Sequence, residues 1–204
     1  MAEVAVPGTA RPGGRTSRVR SAVFDAALAV LEDLGYAGLS IDRIAEQSGV
    51  NKTTIYRRWQ TKEGVLAAAL NDRAASRFPM PITGSIDEDL REFGRAIVDF
   101  LTDESPSTAG VVRALFSDAV REPLIAELRR NFFAHRYQEA AKMVDAAIEH
   151  ATLPADVDAR EFVGLVAAPI YYRHLVTEEP LDYDVADHAA LTALTAVRAG
   201  ACRR

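Results

Sequence analysis

The sequence of this 204-residue chain gives little indication of disulfide bonds, membrane spans or secretion signals. It contains one cysteine, Cys202, so it can form no intrachain disulfide. No apolar run approaches the roughly 18 residues that a membrane-spanning helix needs. The first residues, MAEVAVPGTARPGGRTSR, lack the apolar core of a signal peptide. These absences argue against a secreted or membrane protein, and we expect a cytoplasmic location.

Sequence signatures of catalysis are equally scarce. The four histidines lie on different segments without metalloprotease spacing, and there is no Gly-rich phosphate loop and no serine or cysteine nucleophile motif. Asp184 and His188 have an i,i+4 spacing that could hold a metal, although ordinary pairing near a helix end gives the same pattern. An enzyme is therefore a poorly supported alternative, and we expect no cofactor and no metal site.

The net charge of −5 is unevenly divided along the chain. Residues 1–62 carry 9 Lys and Arg against 6 Asp and Glu, a balance of +3. Residues 63–204 carry 15 against 23, a balance of −8. The positive part favours a polyanionic partner for that part alone, although an ordinary solvated surface has the same balance.

Apolar residues from Ser17 onward recur at three- and four-residue steps, which is the period of an α-helix. Gly35 is expected to end the first helix, and a second begins at Ser40. After a proline-rich break at residues 78–84, Ser85 and Glu88 have the spacing of a capping box for another helix. Later helices are expected over residues 108–120, 123–150, 157–176 (with Pro169 inside) and 183–199. No segment alternates like a strand, so the predicted fold class is all-α.

Residues 40–59 have the pattern of two short helices joined by a tight turn. Gly49 can adopt the left-handed backbone that ends a helix sharply, and Val50 is the apolar residue that follows the turn. Asn51 is a good N-cap for the second short helix, which should run to about Trp59. This arrangement is the signature of a helix-turn-helix.

The second of these helices has two chemically different faces. Ile55 and Trp59 lie four residues apart and share the face expected to be buried. Thr53 and Arg57 point almost directly away from it. The flanking positions, which complete an outward face of hydroxyls and cations, are Lys52, Thr54, Tyr56 and Arg58. Arginine and threonine read base edges, and lysine and tyrosine bind phosphates, so this face suits DNA.

Residues 39–70, LSIDRIAEQSGVNKTTIYRRWQTKEGVLAAAL, resemble the DNA-binding domain of the TetR family of bacterial transcription regulators. The family pattern is matched by Ile44-Ala45, Ser48-Gly49-Val50, Tyr56-Arg57-Arg58-Trp59 and Lys62-Glu63. Gly64-Val65 departs from it, because a larger residue followed by leucine is commoner there. The resemblance is close over about residues 17–70.

The resemblance implies which side chains contact DNA. Ser40, Tyr56 and Lys62 match phosphate contacts of the family, and Thr53, Thr54 and Arg57 match its base-reading positions. Lys52 also faces outward on the second short helix, which is the expected recognition helix. The expected DNA-binding residues are therefore Ser40, Lys52, Thr53, Thr54, Tyr56, Arg57 and Lys62. Arg15 and Arg18, expected just before the first helix, are candidates for an adjacent minor groove.

The family organisation implies an N-terminal helix-turn-helix DNA-binding domain plus a C-terminal helical ligand-binding and dimerisation domain. We expect a flexible arm over residues 1–16, the DNA-binding domain over 17–77 and the effector-binding and dimerisation domain over 78–204. A homodimer through the last two helices would place two recognition helices on two half-sites. The residues expected at that contact form a small apolar stripe: Ala186, Ala189, Ala190, Ala193, Leu194 and Val197. Alternatively, the stripe packs only within the monomer.

The central helices are expected to enclose an effector pocket. The large side chains chosen as its lining are Phe93, Ile97, Phe100, Phe116, Phe133, Tyr137 and Tyr171. Candidate polar anchors are Arg95, His135, Arg136, Arg173 and His174. The resemblance therefore implies a sequence-specific transcriptional regulator, a repressor released from a palindromic DNA operator by a small-molecule effector. A regulator without an effector, or an activator, is the alternative.

Overall fold

A computed structural model describes residues 14–77, 80, 82–105, 108, 111–112, 115–116 and 123–204. Its α-helices are α1 (Gly14–Gly38), α2 (Ile41–Ser48), α3 (Lys52–Trp59), α4 (Lys62–Arg77), α5 (Ile86–Thr102), α6 (Pro123–Glu149), α7 (Ala159–Tyr172) and α8 (Tyr183–Arg198). The all-α prediction is confirmed, since the described ranges contain no strand beyond one isolated bridge between Val157 and Arg203. None of their helices is long and apolar enough to cross a membrane.

Two predictions fall wholly or largely outside this part of the chain. Most of the expected arm, residues 1–13, lies outside the described residues, as does most of the helix expected over 108–120. Gly14 already begins α1, so the first helix starts three residues earlier than predicted.

Local sequence signals determine the short helices of the N-terminal part. Ser40 caps α2 by accepting a hydrogen bond from the Arg43 amide at 3.3 Å. Gly49 ends α2 with φ of +66°, a backbone conformation in which an L side chain is strained. Asn51 caps α3 by accepting from the Thr53 amide at 2.8 Å. These boundaries confirm the predicted helix-turn-helix.

The helix-turn-helix is held against α1 and α4 by a small apolar core. Ile44 of α2, Ile55 of α3 and Leu66 of α4 are all fully buried. Trp59 is half-buried, and its ring packs against that of Phe24 with centroids 5.5 Å apart. The recognition helix is therefore fixed by tertiary packing, because a helix of eight residues is too short to be stable alone.

The C-terminal part is a helical body in which α5 packs against both α7 and α8, and α6 packs against α7. Gly94 allows α5 and α8 to approach closely, since a Cβ at this position would lie 3.2 Å from the Cβ of Ala186. All six residues of the small apolar stripe on α8 are buried in this monomer. The expectation that the stripe forms the dimer contact is thus wrong. Small side chains permit close helix approach, and here they are used inside one chain.

The start of α5 also differs from its prediction. Ser85 is the N-cap residue, but its side chain makes no capping hydrogen bond, so the predicted capping box with Glu88 is absent. The buried carboxylate of Asp89 instead accepts bonds from the amide and the hydroxyl of Thr83, both at 2.8 Å. A carboxylate that accepts two hydrogen bonds stabilises this turn more than a single bond to a serine hydroxyl would.

Helix α7 runs through Pro169, which has no amide hydrogen, and widens into a π-turn over Arg173–Thr177. The chain end is tied to the start of the same helix. The Asp158 amide donates to the Cys202 carbonyl at 2.7 Å, and the Arg204 amide donates to the Asp156 carbonyl at 2.8 Å. These two bonds hold the start of α7 beside the chain segment that follows α8.

Candidate DNA-binding surface and internal cavity

Helix α3 presents the two faces that its sequence predicts. Ile55 is fully buried, whereas Thr53, Arg57 and Lys52 are exposed and Tyr56 is 49% exposed. Thr54 differs slightly, since it is half-buried at the edge of the outward face. The exposed side of α3 therefore consists of hydroxyls and cations, the groups that hydrogen-bond base edges and phosphates.

The two adjacent arginines of α3 have different surroundings. The guanidinium of Arg58 lies 5.1 Å from the centroid of the Trp59 ring, within cation–π range. Arg57 is exposed, and within the described part of the chain it makes no ion pair. Of the two arginines of α3, Arg57 is therefore the one whose guanidinium is available to contact a partner.

Lys52 is engaged with helix α2. Its ammonium lies 3.0 Å from a carboxylate oxygen of Asp42, and this hydrogen bond raises the pKa of Lys52 above its ordinary value. Both side chains are largely exposed, so the pair is weak and exchangeable. The ammonium keeps further N–H donors, but the Asp42 carboxylate reduces the positive charge that Lys52 offers to a phosphate.

Lys62 is held beside α1 at the other end of the surface. Its ammonium lies 4.1 Å from the centroid of the Tyr36 ring and donates to the Tyr36 carbonyl at 3.3 Å. The Tyr36 hydroxyl in turn donates to Glu63 at 2.5 Å. An ammonium has three N–H donors, so Lys62 keeps donors for a further acceptor while its position is fixed.

The remaining predicted DNA contacts lie at helix N-termini. Ser40 is half-buried at the start of α2, where its oxygen accepts from a backbone amide and its hydroxyl hydrogen can still be donated. Arg18 lies on an exposed face inside α1, so its expected position just before the first helix is wrong. Arg15 also falls within α1, but its side chain lies outside the described residues.

A cavity of about 830 Å³ lies in the C-terminal body. Its lining includes all seven of the side chains chosen from the sequence: Phe93, Ile97, Phe100, Phe116, Phe133, Tyr137 and Tyr171. The volume falls within the range of small-molecule sites. Ala74 of α4 also lines it, so the helix that follows the helix-turn-helix reaches the cavity wall.

Aromatic rings make up one wall of the cavity. The ring of Phe116 lies 6.0 Å from that of Phe133 and 5.4 Å from that of Tyr171, and the latter two are 5.9 Å apart. Phe132 packs edge-on against Phe133 at 5.3 Å. These tilted contacts are typical of favourable aromatic packing and leave flat faces available to a ligand.

Of the five polar anchors considered from the sequence, Arg136 alone lines the cavity. Arg95 instead makes two hydrogen bonds to Asp187, at 2.8 and 2.7 Å. Arg173 binds Glu179 and the Pro180 carbonyl. The two candidate histidines, His135 and His174, are not among the lining residues.

Sequence reasoning missed other lining residues, notably Arg160 and Gly164. Gly164 and Arg160 precede Tyr171 by about two and three helical turns on α7, so extending the Tyr171 face towards the N-terminus of α7 would have found them. The guanidinium of Arg160 lies 5.1 Å from the centroid of the Tyr137 ring.

A second apolar surface lies on the outside of α7 and α8. We call it the α7–α8 face and define it by its exposed large side chains, Leu165, Tyr172 and Leu191. A shallow groove beside it is lined by Leu165, Ala168, Pro169, Tyr172, His188 and Thr192, and also by the charged residues Arg173, Glu179, Asp182 and Asp184. Exposed apolar residues that cluster on one face are typical of an interaction surface.

Comparisons with known families agree with this arrangement. The family model described as "Bacterial regulatory proteins, tetR family" matches residues 23–69, which contain the helix-turn-helix. A second model, "Tetracyclin repressor-like, C-terminal domain", matches residues 80–193, which contain the α7–α8 face and every lining residue of the cavity except Ala74.

Individual proteins are similar over most of the chain. The HTH-type transcriptional regulator AqdR of Rhodococcus erythropolis is 30% identical over 81% of this chain and 80% of its own. The uncharacterized HTH-type regulator YdeS of Bacillus subtilis is 28% identical over 91% and 92%. The solved TetR family transcription regulator SCO0332 superposes with a TM-score of 0.69 at 28% identity, covering 88% of this chain and 98% of that one.

Proposed function

The chain belongs to the TetR family of bacterial regulatory proteins and is a DNA-binding transcriptional regulator, not an enzyme; from this premise, we propose that it is a repressor that a small molecule releases from a palindromic operator. The observation that carries the proposal is the exposed face of α3, held in place by the buried Ile55. We assign DNA reading to residues 17–77, effector binding and dimerisation to residues 78–204, and a cytoplasmic location.

We assign the DNA contacts by their chemistry and position. Thr53, Thr54 and Arg57 read base edges in the major groove. The side chains that bind phosphates and so fix the register are Ser40, Lys52, Tyr56 and Lys62. The ordered position of Lys62 beside Tyr36 supports its role, because little side-chain entropy is lost when a phosphate binds there.

Replacing Arg57 by alanine is expected to weaken operator binding by about 1–3 kcal/mol and to relax the preference at one base pair. The reason is that an arginine contact to a guanine carries sequence information, whereas a phosphate contact does not. The measurement is fluorescence anisotropy with the operator and its single-base variants.

Arg58→Ala is the matched control, since it removes the same charge from the same helix at a side chain that packs over Trp59. It should weaken binding to all sequences alike and leave the base preferences unchanged. Unchanged affinity and preference in Arg57→Ala would disprove the base-reading assignment.

Asp42→Asn is expected to tighten DNA binding by about two- to fivefold at low salt. The change frees Lys52 from its 3.0 Å ion pair and removes a negative charge close to the DNA-binding surface. Asp145→Asn on α6 removes the same charge from an exposed position of the C-terminal body and should have no such effect. Equal or weaker binding by Asp42→Asn would contradict a role for Lys52 at a phosphate.

We place the homodimer contact on the α7–α8 face. Leu165, Tyr172 and Leu191 expose apolar surface on the last two helices, and covering it with a second copy removes that surface from water. Two copies present two recognition helices to two half-sites, which is the basis of binding to a palindrome.

We place the effector in the 830 Å³ cavity. Ala74 connects the two functions, because it belongs to α4, which packs against α1 of the DNA-binding part and against α6 of the body. A ligand that moves α4 changes the separation of the two recognition helices in the dimer. Effector and operator then weaken each other's binding reciprocally.

A further inference from the structure

The cavity has a strongly one-sided charge. Its lining contains four arginines, Arg129, Arg130, Arg136 and Arg160, and among its described lining residues there is no aspartate or glutamate. This contrasts with a chain whose net charge is −5. The field inside such a cavity favours a negatively charged occupant.

Arg136 is the arginine buried deepest in this wall, with 8% of its surface exposed. Burial lowers the pKa of Arg136 to about 10, so its side chain is still a cation at neutral pH. Removing a cation from water is costly unless a negative group compensates it. The Glu139 carboxylate offsets part of this cost for Arg136, and the arginines of the cavity wall together favour an anion inside the cavity.

The groups around Arg136 define the rest of the ligand. The rings of Phe116, Phe133 and Tyr171 stand within 6.0 Å of one another and offer apolar faces. Burial raises the pKa of the Tyr171 phenol, which therefore stays protonated and can donate a hydrogen bond at neutral pH. A flat apolar group with one acidic end matches this combination of rings, cation and phenol donor.

We propose that the cavity binds a small aromatic carboxylate, with its rings against Phe116 and Phe133 and its carboxylate on the guanidinium of Arg136. The phenol of Tyr171 donates a second hydrogen bond to the carboxylate. The regulatory meaning of this ligand rests on the proposed function, in which the occupant of the cavity releases DNA. The binding itself does not depend on DNA.

The first test measures binding to the full-length protein without DNA by isothermal titration calorimetry. The probes are benzoate, salicylate, 2-naphthoate and biphenyl-4-carboxylate, each paired with its methyl ester. At least one carboxylate is expected to bind about tenfold or more tightly than its own ester, because a charge-assisted hydrogen bond is lost in the ester. Equal or tighter binding of every ester, or no binding of any carboxylate at millimolar concentration, overturns the proposal.

The second test assigns the preference to Arg136. Arg136→Met keeps most of the apolar volume and should reduce the carboxylate affinity about tenfold or more while changing the ester affinity little. Arg136→Lys keeps the charge without the planar fork and should give an intermediate affinity. Arg91→Met, at an exposed arginine of α5 that does not line the cavity, is the matched control and should retain the preference. A preference that survives in Arg136→Met overturns the assignment.

A third measurement separates this inference from the proposed function. The probe with the highest affinity is added to the protein–operator complex. If the probe binds without releasing DNA, the result supports the carboxylate site and contradicts the effector proposal. If the esters release DNA as well as the carboxylates do, the result supports the effector proposal and overturns the carboxylate site.

Discussion

Replacing both Tyr172 and Leu191 by glutamate is expected to give a monomer that binds the operator about 100-fold or more weakly than the natural chain. The two side chains are 59% and 61% exposed in the monomer, so the substitutions should leave its fold intact. In a dimer they would place like charges opposite one another in an apolar contact, where unpaired charges are costly. Loss of the second half-site then removes the avidity on which tight operator binding depends.

Mass measurement in solution at micromolar concentration, together with operator titration, checks this result. Leu124→Glu is the matched control, because Leu124 is a 51% exposed leucine that lies on α6 and not on the α7–α8 face. It should remain dimeric and bind normally. A double variant that is still a dimer would place the interface elsewhere.

Replacing Ile55 by alanine should abolish detectable operator binding at protein concentrations that saturate the natural chain. Ile55 is fully buried between α3 and the rest of the DNA-binding part. Truncation to alanine at such a position costs about 2–5 kcal/mol, a large share of the stability of a small domain. Helix α3 has only eight residues and cannot keep its position without that contact.

Thermal unfolding followed by circular dichroism, with an operator titration at 20 °C, measures both effects. Ile55→Val is the graded control and should cost about 0.5–1.5 kcal/mol with operator binding largely retained. The C-terminal body should stay dimeric in both variants. Normal operator affinity in Ile55→Ala would show that α3 does not depend on this packing for its position.

The helix-turn-helix could be predicted from the sequence because its signals are local. Ser40, Gly49 and Asn51 determine where α2 and α3 begin or end through contacts within a few residues, and the structure has those contacts. The burial of Ile55 followed from helical phase alone. Two local signals misled: the capping role of Ser85 is replaced by the contact of Asp89 with Thr83, and Gly35 kinks α1, which continues to Gly38.

Features that depend on helix packing were predicted less well. The alanine stripe of α8 suits close approach to any helix, and its sequence does not distinguish a neighbour in the same chain from one in a second copy. The structure assigns it to the monomer and leaves Leu191 on the opposite side exposed. Large apolar residues indicated the cavity lining correctly, since seven of them meet in one place.

The polar lining of the cavity was the hardest part to predict. Arg95 and Arg136 are both arginines on helices of the body, yet one binds Asp187 and the other lines the cavity. That difference depends on which acid lies opposite each arginine in the folded chain, and Arg95 and Asp187 are far apart in the sequence. Helical phase alone therefore could not assign the positive charge of the cavity.

Selection of bound sequences from a pool of random double-stranded DNA, with the whole chain at physiological salt, measures directly whether the protein reads a palindromic operator as a dimer. The proposed function predicts enrichment of one sequence made of two inverted half-sites, because two copies of α3 read it about a two-fold axis. It also predicts that the half-sites include a guanine whose enrichment disappears in Arg57→Ala. Failure to enrich any sequence, or enrichment of a single site without two-fold symmetry, would contradict it.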